Sequence, residues 1–223
     1  MFKYLWSRKF ALLAIAILVA LLPIAMTKEP ITLSRTIATA IGIDYVDGEF
    51  VVHAEIVVFS FNPQDGRESE LVTERGATVM EAFDKMGKDR GMTVSFTHCT
   101  IVIIGTGVLN SNETVAQIIR PIYKSEISNG AVLFYTKSDI QNIMQQSIES
   151  GNMRSGLLQQ IAEWNRKHHK NKNTTIERFY KNNALGRDAF LILTELDTSD
   201  EPKIVNTNNH AIYRAGVIYA NFL

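Results

Sequence analysis

The segment TIVIIG, at residues 100–105, decides the fold class of this chain. It is a nearly uniform apolar run between Thr100 and Gly105, which is typical of a strand covered on both faces. Around it, from residue 31 to 223, the period of the apolar pattern switches repeatedly between two and 3.6. The sequence therefore predicts an α+β domain, in which a mixed sheet packs with helices.

Alternating or uniformly apolar patterns bounded by turn residues mark the predicted strands. They place these strands at 38–44, 50–59, 70–73, 92–96, 100–104, 130–135, 189–194, 203–205, 211–213 and 217–222. The first two form a hairpin, because Asp47-Gly48 between them favours a tight turn. A loop at 62–67, with Pro63 and Gly66, follows this hairpin.

Capping patterns mark the starts of three predicted helices. A hydroxyl and a carboxyl or amide three residues later recur at Thr78 with Glu81, Ser138 with Gln141, and Thr174 with Glu177. Apolar stripes at helical spacing predict further helices at 113–122 and 157–164. We expect Gly91 to end the helix that begins at Thr78.

The N-terminus has the pattern of a secretory signal or signal anchor. Lys3, Arg8 and Lys9 precede an uncharged run from residue 10 to 26. As a helix this run spans about 26 Å, slightly less than the roughly 30 Å of a hydrocarbon core. A buried core helix is the alternative interpretation, but the three cations before the apolar run favour a membrane segment.

The tripeptide Pro23-Ile24-Ala25 is a poor match to a cleavage site, so an uncleaved anchor is favoured over a cleaved signal. The sequence thus predicts a transmembrane anchor at 1–30 and one domain at 31–223. By the positive-inside rule, that domain lies on the outer side of the cytoplasmic membrane.

The composition excludes several classes of protein. The 23 basic and 23 acidic residues balance, which removes the positive surface that phosphate-backbone binding requires. The single cysteine, Cys99, excludes an intramolecular disulfide and a cysteine-rich zinc site. We therefore expect no nucleic-acid partner, and a fold held together by its apolar core.

Residues with catalytic potential are few. His98 and Cys99 are neighbours on an extended segment, so their side chains point to opposite sides and neither activates the other. Gly105-Thr106-Gly107 lacks the remaining residues of a phosphate-binding motif and is expected to be a strand-to-helix turn. The pair His168-His169 has three interpretations: a metal-binding tract, a contact with an anionic surface, or a solvated helix end. The solvated helix end is favoured. No catalytic residue, metal or cofactor is predicted.

Several short motifs, in this order, resemble the C-subunit (Ger(x)C) family of bacterial spore germinant receptors. Each is weak alone, and their specificity comes from order and spacing over most of residues 35–223. The motifs are Ala40 to Asp44, Asp47-Gly48, Gly76-Ala77-Thr78, His98 leading into Ile101 to Gly105, Arg120, Asn129 to Val132, and Ala211 to Val217.

The chain departs from that family in three ways. Family members are typically lipoproteins, whereas no cysteine lies between Met1 and His98, so the apolar helix itself is expected to do the anchoring. Asn209 and His210 stand where the family's last hairpin has a glycine. The family also continues into further domains, so the sequence resembles its N-terminal domain alone.

The resemblance implies an α/β fold and a non-enzymatic, membrane-attached subunit in the spore inner membrane. It further implies a complex with a transporter-like B subunit and an A subunit, which together sense small germinants such as amino acids. His98, Arg120 and Arg214 are the candidate interaction residues. For each, capping a strand end or pairing with a local carboxylate is the structural alternative.

Two other functions remain open. One is an extracytoplasmic solute-binding or adaptor module unrelated to germination, because anchored α/β domains have many roles. The other is an anchored hydrolase, although the sequence contains no arrangement of nucleophile and base and no metal-ligand spacing.

Overall fold

In the part of the chain that the structure describes, the fold is a nine-stranded sheet with helices on both faces. The computed structural model describes residues 35–59, 67–88, 91–149, 154–168, 174–197, 203–214 and 217–221. The strands are β1 (Arg35–Val46), β2 (Glu49–Phe59), β3 (Arg67–Gly76), β4 (Thr93–Ser95), β5 (Ile101–Ile104), β6 (Val132–Tyr135), β7 (Ala189–Asp197), β8 (Lys203–Arg214) and β9 (Val217–Asn221). The helices are α1 (Val79–Lys85), α2 (Thr106–Leu109), α3 (Asn112–Lys124), α4 (Ile140–Glu149), α5 (Arg154–His168) and α6 (Ile176–Ala184).

The sheet has a parallel centre and antiparallel flanks. Its strand order is β3-β2-β1-β5-β6-β7-β8-β9, and β4 pairs with β1 on the same side as β5. Strands β1, β5, β6 and β7 run parallel, whereas β2 and β3 on one side and β8 and β9 on the other pair antiparallel. The predicted mixed sheet packed with helices is confirmed.

The strand that decided the fold class is buried on both faces, as predicted. Val102 and Ile104 belong to one apolar cluster, and Ile101 and Ile103 belong to the other. Apolar residues of α1, α2, α3 and α6 form the first cluster with the sheet, and those of α4 and α5 form the second. Since both faces are covered, an uninterrupted run of apolar residues is the pattern that this strand needs.

The capping box at the start of α1 is confirmed, but the predicted end of this helix is wrong. Thr78 Oγ1 accepts the Glu81 N–H at 3.1 Å, and Glu81 Oε2 accepts the Ala77 N–H at 2.9 Å. The helix ends at Lys85 instead of continuing to Gly91. Gly87 has a φ of 84°, a conformation that favours glycine, so the chain leaves the helix at the first glycine it meets.

Two other predicted helix starts are displaced by one residue. Asp139, and not Ser138, accepts the Asn142 N–H at 2.8 Å at the start of α4. Thr175, and not Thr174, accepts the Arg178 N–H at 3.3 Å at the start of α6. In both places two neighbouring polar residues compete for the cap, and sequence alone does not choose between them.

The C-terminal strands are longer than predicted. The expected strands at 203–205 and 211–213 are parts of one strand, β8, which pairs with β7 on both sides of a register shift. The intervening sequence NTNNH has no apolar alternation, and only its end residues Asn206 and His210 are in register with β7. Pairing on both sides of the register shift, and not local propensity, joins the two parts into one strand.

The predicted anchor at residues 1–30 lies outside the described residues. Within the part of the chain that the structure describes, no helix has the length and apolar character needed to cross a membrane.

Candidate functional site

The three candidate interaction residues lie on separate elements. His98 is exposed in the turn before β5, Arg120 is exposed on α3, and Arg214 is exposed at the end of β8. Arg214 Nε and Nη2 each donate a hydrogen bond of 2.5 Å to an Asp188 carboxylate oxygen. This contact lowers the pKa of the Asp188 carboxyl. Arg214 therefore has the local carboxylate partner that was the structural alternative to a binding role.

The neighbours His98 and Cys99 are separated as expected, since the histidine is exposed and the cysteine is fully buried, but His98 lies in a turn and not on an extended segment. The Cys99 thiol donates to the Ile101 carbonyl oxygen at 3.3 Å. Burial raises the pKa of this thiol to about 12. The thiol is therefore protonated at neutral pH and is not an activated nucleophile.

The turn Gly105-Thr106-Gly107 holds a carboxylate of the chain itself. Asp44 Oδ1 accepts the Gly107 N–H at 2.9 Å and the Tyr45 N–H at 2.8 Å. A Cβ on Gly105 would clash with the Asp44 carboxylate, and a Cβ on Gly107 would clash with the Tyr45 carbonyl oxygen. The glycines thus serve a close approach of β1 to α2, and the prediction of a strand-to-helix turn is confirmed.

A row of polar side chains is buried beneath α4. His53 and Glu55 on β2 are 5% and 0% exposed. The Nδ1 atom of His53 lies 2.8 Å from Thr73 Oγ1, and Glu55 Oε2 accepts the Thr39 hydroxyl at 2.8 Å. Burial lowers the pKa of His53 to about 4, so the imidazole is neutral. These groups find their partners on neighbouring strands and therefore have a structural role.

Two further polar residues are buried without partners. Both amide atoms of Asn165, on α5, and the hydroxyl of Thr194, on β7, make no hydrogen bond. An unpaired buried group of this kind typically costs about 1–3 kcal/mol. Neither residue lines the cavity described below.

The basic residues at the end of α5 are exposed to solvent. Arg166, Lys167 and His168 are exposed, and the ring of His168 lies 4.6 Å from that of Trp164. His169 lies outside the described residues. Among those that the structure describes, no group of three or more His, Cys, Asp or Glu side chains is arranged to hold a metal ion.

A cavity of about 600 Å³ lies between α1, β4 and the C-terminal end of α3. Its floor consists of the buried side chains of Phe83, Met86 and Phe96, and the two phenylalanine rings stack with centroids 4.4 Å apart. Met80 and Met92 extend the apolar lining towards the surface. The cavity is therefore both apolar and adaptable, because methionine side chains repack easily.

Four exposed charged residues surround the mouth of this cavity. They are Asp84, Lys88, Lys124 and Glu126. Within the described residues none of them forms an ion pair, although five other pairs are present there. The mouth therefore offers charges of both signs to a bound group.

The cavity residues carry little signal in the sequence. Met80, Met86 and Met92 recur at intervals of six, which matches neither a helix nor a strand, because the three residues lie on α1 and in the connection to β4. Lys124 and Glu126 lie far from these methionines along the chain and reach the same cavity only in the folded protein. Sequence alone therefore offered no reason to combine these residues into a site.

A comparison with protein families gives a match that covers most of the chain. Residues 33–196, nearly three quarters of it, match the family described as spore germination protein N-terminal domain. No curated protein and no solved structure gives a significant match. His98 and Arg120 lie within the matched range and Arg214 lies beyond it. The chain belongs to the spore germination protein family, through the N-terminal domain of that family.

Proposed function

We propose that the protein is a non-enzymatic, membrane-anchored subunit of a spore germinant receptor complex and takes part in nutrient-triggered germination. The observation that carries the proposal is the family match over residues 33–196. The partners are the A and B subunits of the receptor, and the location is the spore inner membrane, with the domain on its outer side.

The N-terminal sequence supports the membrane anchor. Three cations precede the uncharged run at residues 10–26, and β1 begins at Arg35. This order, a short positive segment followed by an apolar run, is that of a signal anchor.

The non-enzymatic role is part of the proposal, and three side chains with catalytic potential have structural surroundings. Cys99 is buried and protonated, and the buried His53 and Glu55 contact threonine hydroxyl groups of neighbouring strands. The described lining of the cavity contains Asp, Glu and Lys side chains but neither His nor Cys. This lining offers both apolar and charged contacts for binding.

An extracytoplasmic solute-binding or adaptor module is the second candidate function. The cavity of about 600 Å³ favours it, because this volume lies in the range of small-ligand sites. The neighbouring genes distinguish the two candidates. Genes for a many-spanning membrane protein and an A-type subunit support the receptor, and their absence supports the independent module.

Deletion of the gene in a spore-forming host tests the proposal. We expect slower or absent germination with at least one nutrient, normal sporulation, and recovery when the full-length gene is restored. A matched strain carries the gene without residues 1–26 and should not recover. Normal germination with every nutrient, after paralogous genes are also deleted, would contradict the proposal.

Extraction of membranes tests the anchor separately. The full-length protein should remain in the membrane fraction after alkaline carbonate treatment, because an apolar helix holds it there. The protein without residues 1–26 should be released and folded. Release of the full-length protein by carbonate would show that the anchor assignment is wrong.

A further inference from the structure

The sheet has an open position beside β4. Strands β4 and β5 follow each other along one side of β1, because Arg35–Ile37 pair with β4 and Ala40–Ile43 pair with β5. Strand β6 begins at Val132, opposite Ile101, and on this side it pairs with β5 and not with β4. Among the described strands none continues the line of β6 beside β4. Thr93 and Val94 of β4 line the cavity together with Ser125 and Glu126 of the connection after α3.

The backbone of β4 is therefore available on one side. In the described part of the chain β4 pairs with β1 alone. A strand paired on one side presents a row of N–H and C=O groups that can pair with another chain. Thr93 and Val94 both line the cavity, so these groups border its apolar floor.

The apolar lining complements that edge. In an extended segment, side chains two residues apart point to the same face. The stacked rings of Phe83 and Phe96, with Met86 beside them, offer an apolar surface to such side chains. The volume of about 600 Å³ has room for roughly two or three of them.

We propose that the cavity binds an extended peptide segment of a partner protein, which adds to the sheet as a strand beside β4. The segment carries apolar side chains at alternate positions and charged residues of both signs next to them. Lys88 and Lys124 then meet its acidic groups, and Asp84 and Glu126 meet its basic groups. The proposal rests on the proposed function only for the identity of the partner, which would be another receptor subunit.

Peptide binding to the full-length protein in lipid nanodiscs tests the proposal. The probe is a capped hexapeptide of sequence Lys-Leu-Thr-Leu-Thr-Glu, and the protein carries ¹³C-methyl methionine. We expect saturable methyl shifts at Met80, Met86 and Met92 below about 1 mM peptide. Met144 is a buried residue of α4 in the other apolar cluster and should not shift. Absence of shifts at the three cavity methionines would overturn the proposal.

A second peptide separates strand addition from simple apolar binding. It has the same side chains but methylated backbone nitrogens at both central residues, which removes the donors needed for pairing. We expect its affinity to be at least about tenfold lower, because strand addition depends on backbone hydrogen bonds. Equal affinity would show that the cavity binds apolar side chains without extending the sheet.

A pair of protein variants locates the binding surface. Met80→Lys places a charge on the cavity wall, and Leu157→Lys makes the same change at a helical position that is equally exposed, 38% in each. We expect about tenfold weaker binding for the first variant and unchanged binding for the second. Equal effects would contradict the assignment. Germination is measured separately. A negative peptide result therefore contradicts only the binding proposal, and a normal deletion phenotype contradicts only the proposed function.

Discussion

The Oδ1 atom of Asp44 lies 2.9 Å from the backbone nitrogen of Gly107 and accepts its hydrogen bond. The end of β1 is thereby joined to the first turn of α2. Burial raises the pKa of the Asp44 carboxyl, although the hydrogen bonds from Tyr45 and Gly107 oppose this effect. The contact requires close backbone approach, which makes the two glycines of this turn structural.

Gly107→Ala should destabilise the fold, because the new Cβ would clash with the Tyr45 carbonyl oxygen. We expect the free energy of unfolding to fall by about 1–3 kcal/mol, as measured by urea denaturation. Gly156→Ala in α5 is the control, since no atom lies within 4 Å of its Cβ position. That variant should gain about 0.5–1 kcal/mol from helix propensity. Equal changes in the two variants would show that the close approach is unimportant.

Gly42→Ala should disturb the packing of α4 on the sheet. A Cβ at this position would overlap the Cγ2 atom of Ile140 and touch the sulfur of Met144. We expect a loss of about 1–3 kcal/mol in the free energy of unfolding. Ile140→Ala is destabilising alone, but the double variant should lose less than the sum of the two single losses. Strict additivity in thermal or urea unfolding would contradict this contact.

Cys99 should resist thiol reagents in the folded protein. Its pKa of about 12, against an ordinary value of 9.0, lowers the thiolate fraction about a thousandfold, and burial slows the reaction further. Labelling with a thiol reagent at pH 8 should be complete in guanidinium chloride and negligible in buffer. Because the chain has one cysteine, the signal is unambiguous. Rapid labelling in buffer would show that β5 opens readily.

His53 should make the fold less stable in mild acid. Burial lowers its pKa in the folded state from 6.5 to about 4, with Asp139 opposing this shift and Arg75 supporting it. Between these two values the unfolded chain binds a proton that the folded protein does not. The contribution of His53 is therefore fully present above pH 6.5 and falls by about 3 kcal/mol as the pH drops to 4.

The His53→Asn variant isolates this contribution. Asparagine keeps a polar atom near the position of Nδ1, where Thr73 Oγ1 lies within hydrogen-bond distance. The difference in free energy of unfolding between the native protein and the variant should change between pH 6.5 and 4. Groups such as Asp44 cancel in that difference. A constant difference over this interval would mean that the imidazole is protonated in the folded state.

The elements that the sequence predicted well are those in which local pattern and burial agree. The apolar run Ile101–Ile104 is buried on both faces. At the start of α1, Thr78 accepts the Glu81 N–H and the Glu81 carboxylate accepts the Ala77 N–H. The hairpin turn falls at Asp47-Gly48, where both residues have positive φ. At these places residues near in sequence supply the interactions that hold the structure.

The elements that the sequence predicted poorly depend on distant partners. The middle of β8 is polar and belongs to one strand because the residues on both sides of it pair with β7. His53 and Glu55 alternate with apolar residues and would suit a solvated face, yet α4 covers them. The cavity combines α1, β4 and the end of α3, which are far apart along the chain. None of these pairings leaves a local pattern in the residues concerned.

The place of β1 in the sheet has a mechanical consequence. This strand begins at Arg35 and is bonded along one side to β2 and along the other to β4 and β5. A pull applied at Arg35 along the strand would load these hydrogen bonds together as shear, whereas an edge strand such as β9 would peel away bond by bond. Forced extraction then meets a high barrier and a slow rate. A load applied at the start of β1 would therefore be shared by many hydrogen bonds of the sheet before the domain unfolds.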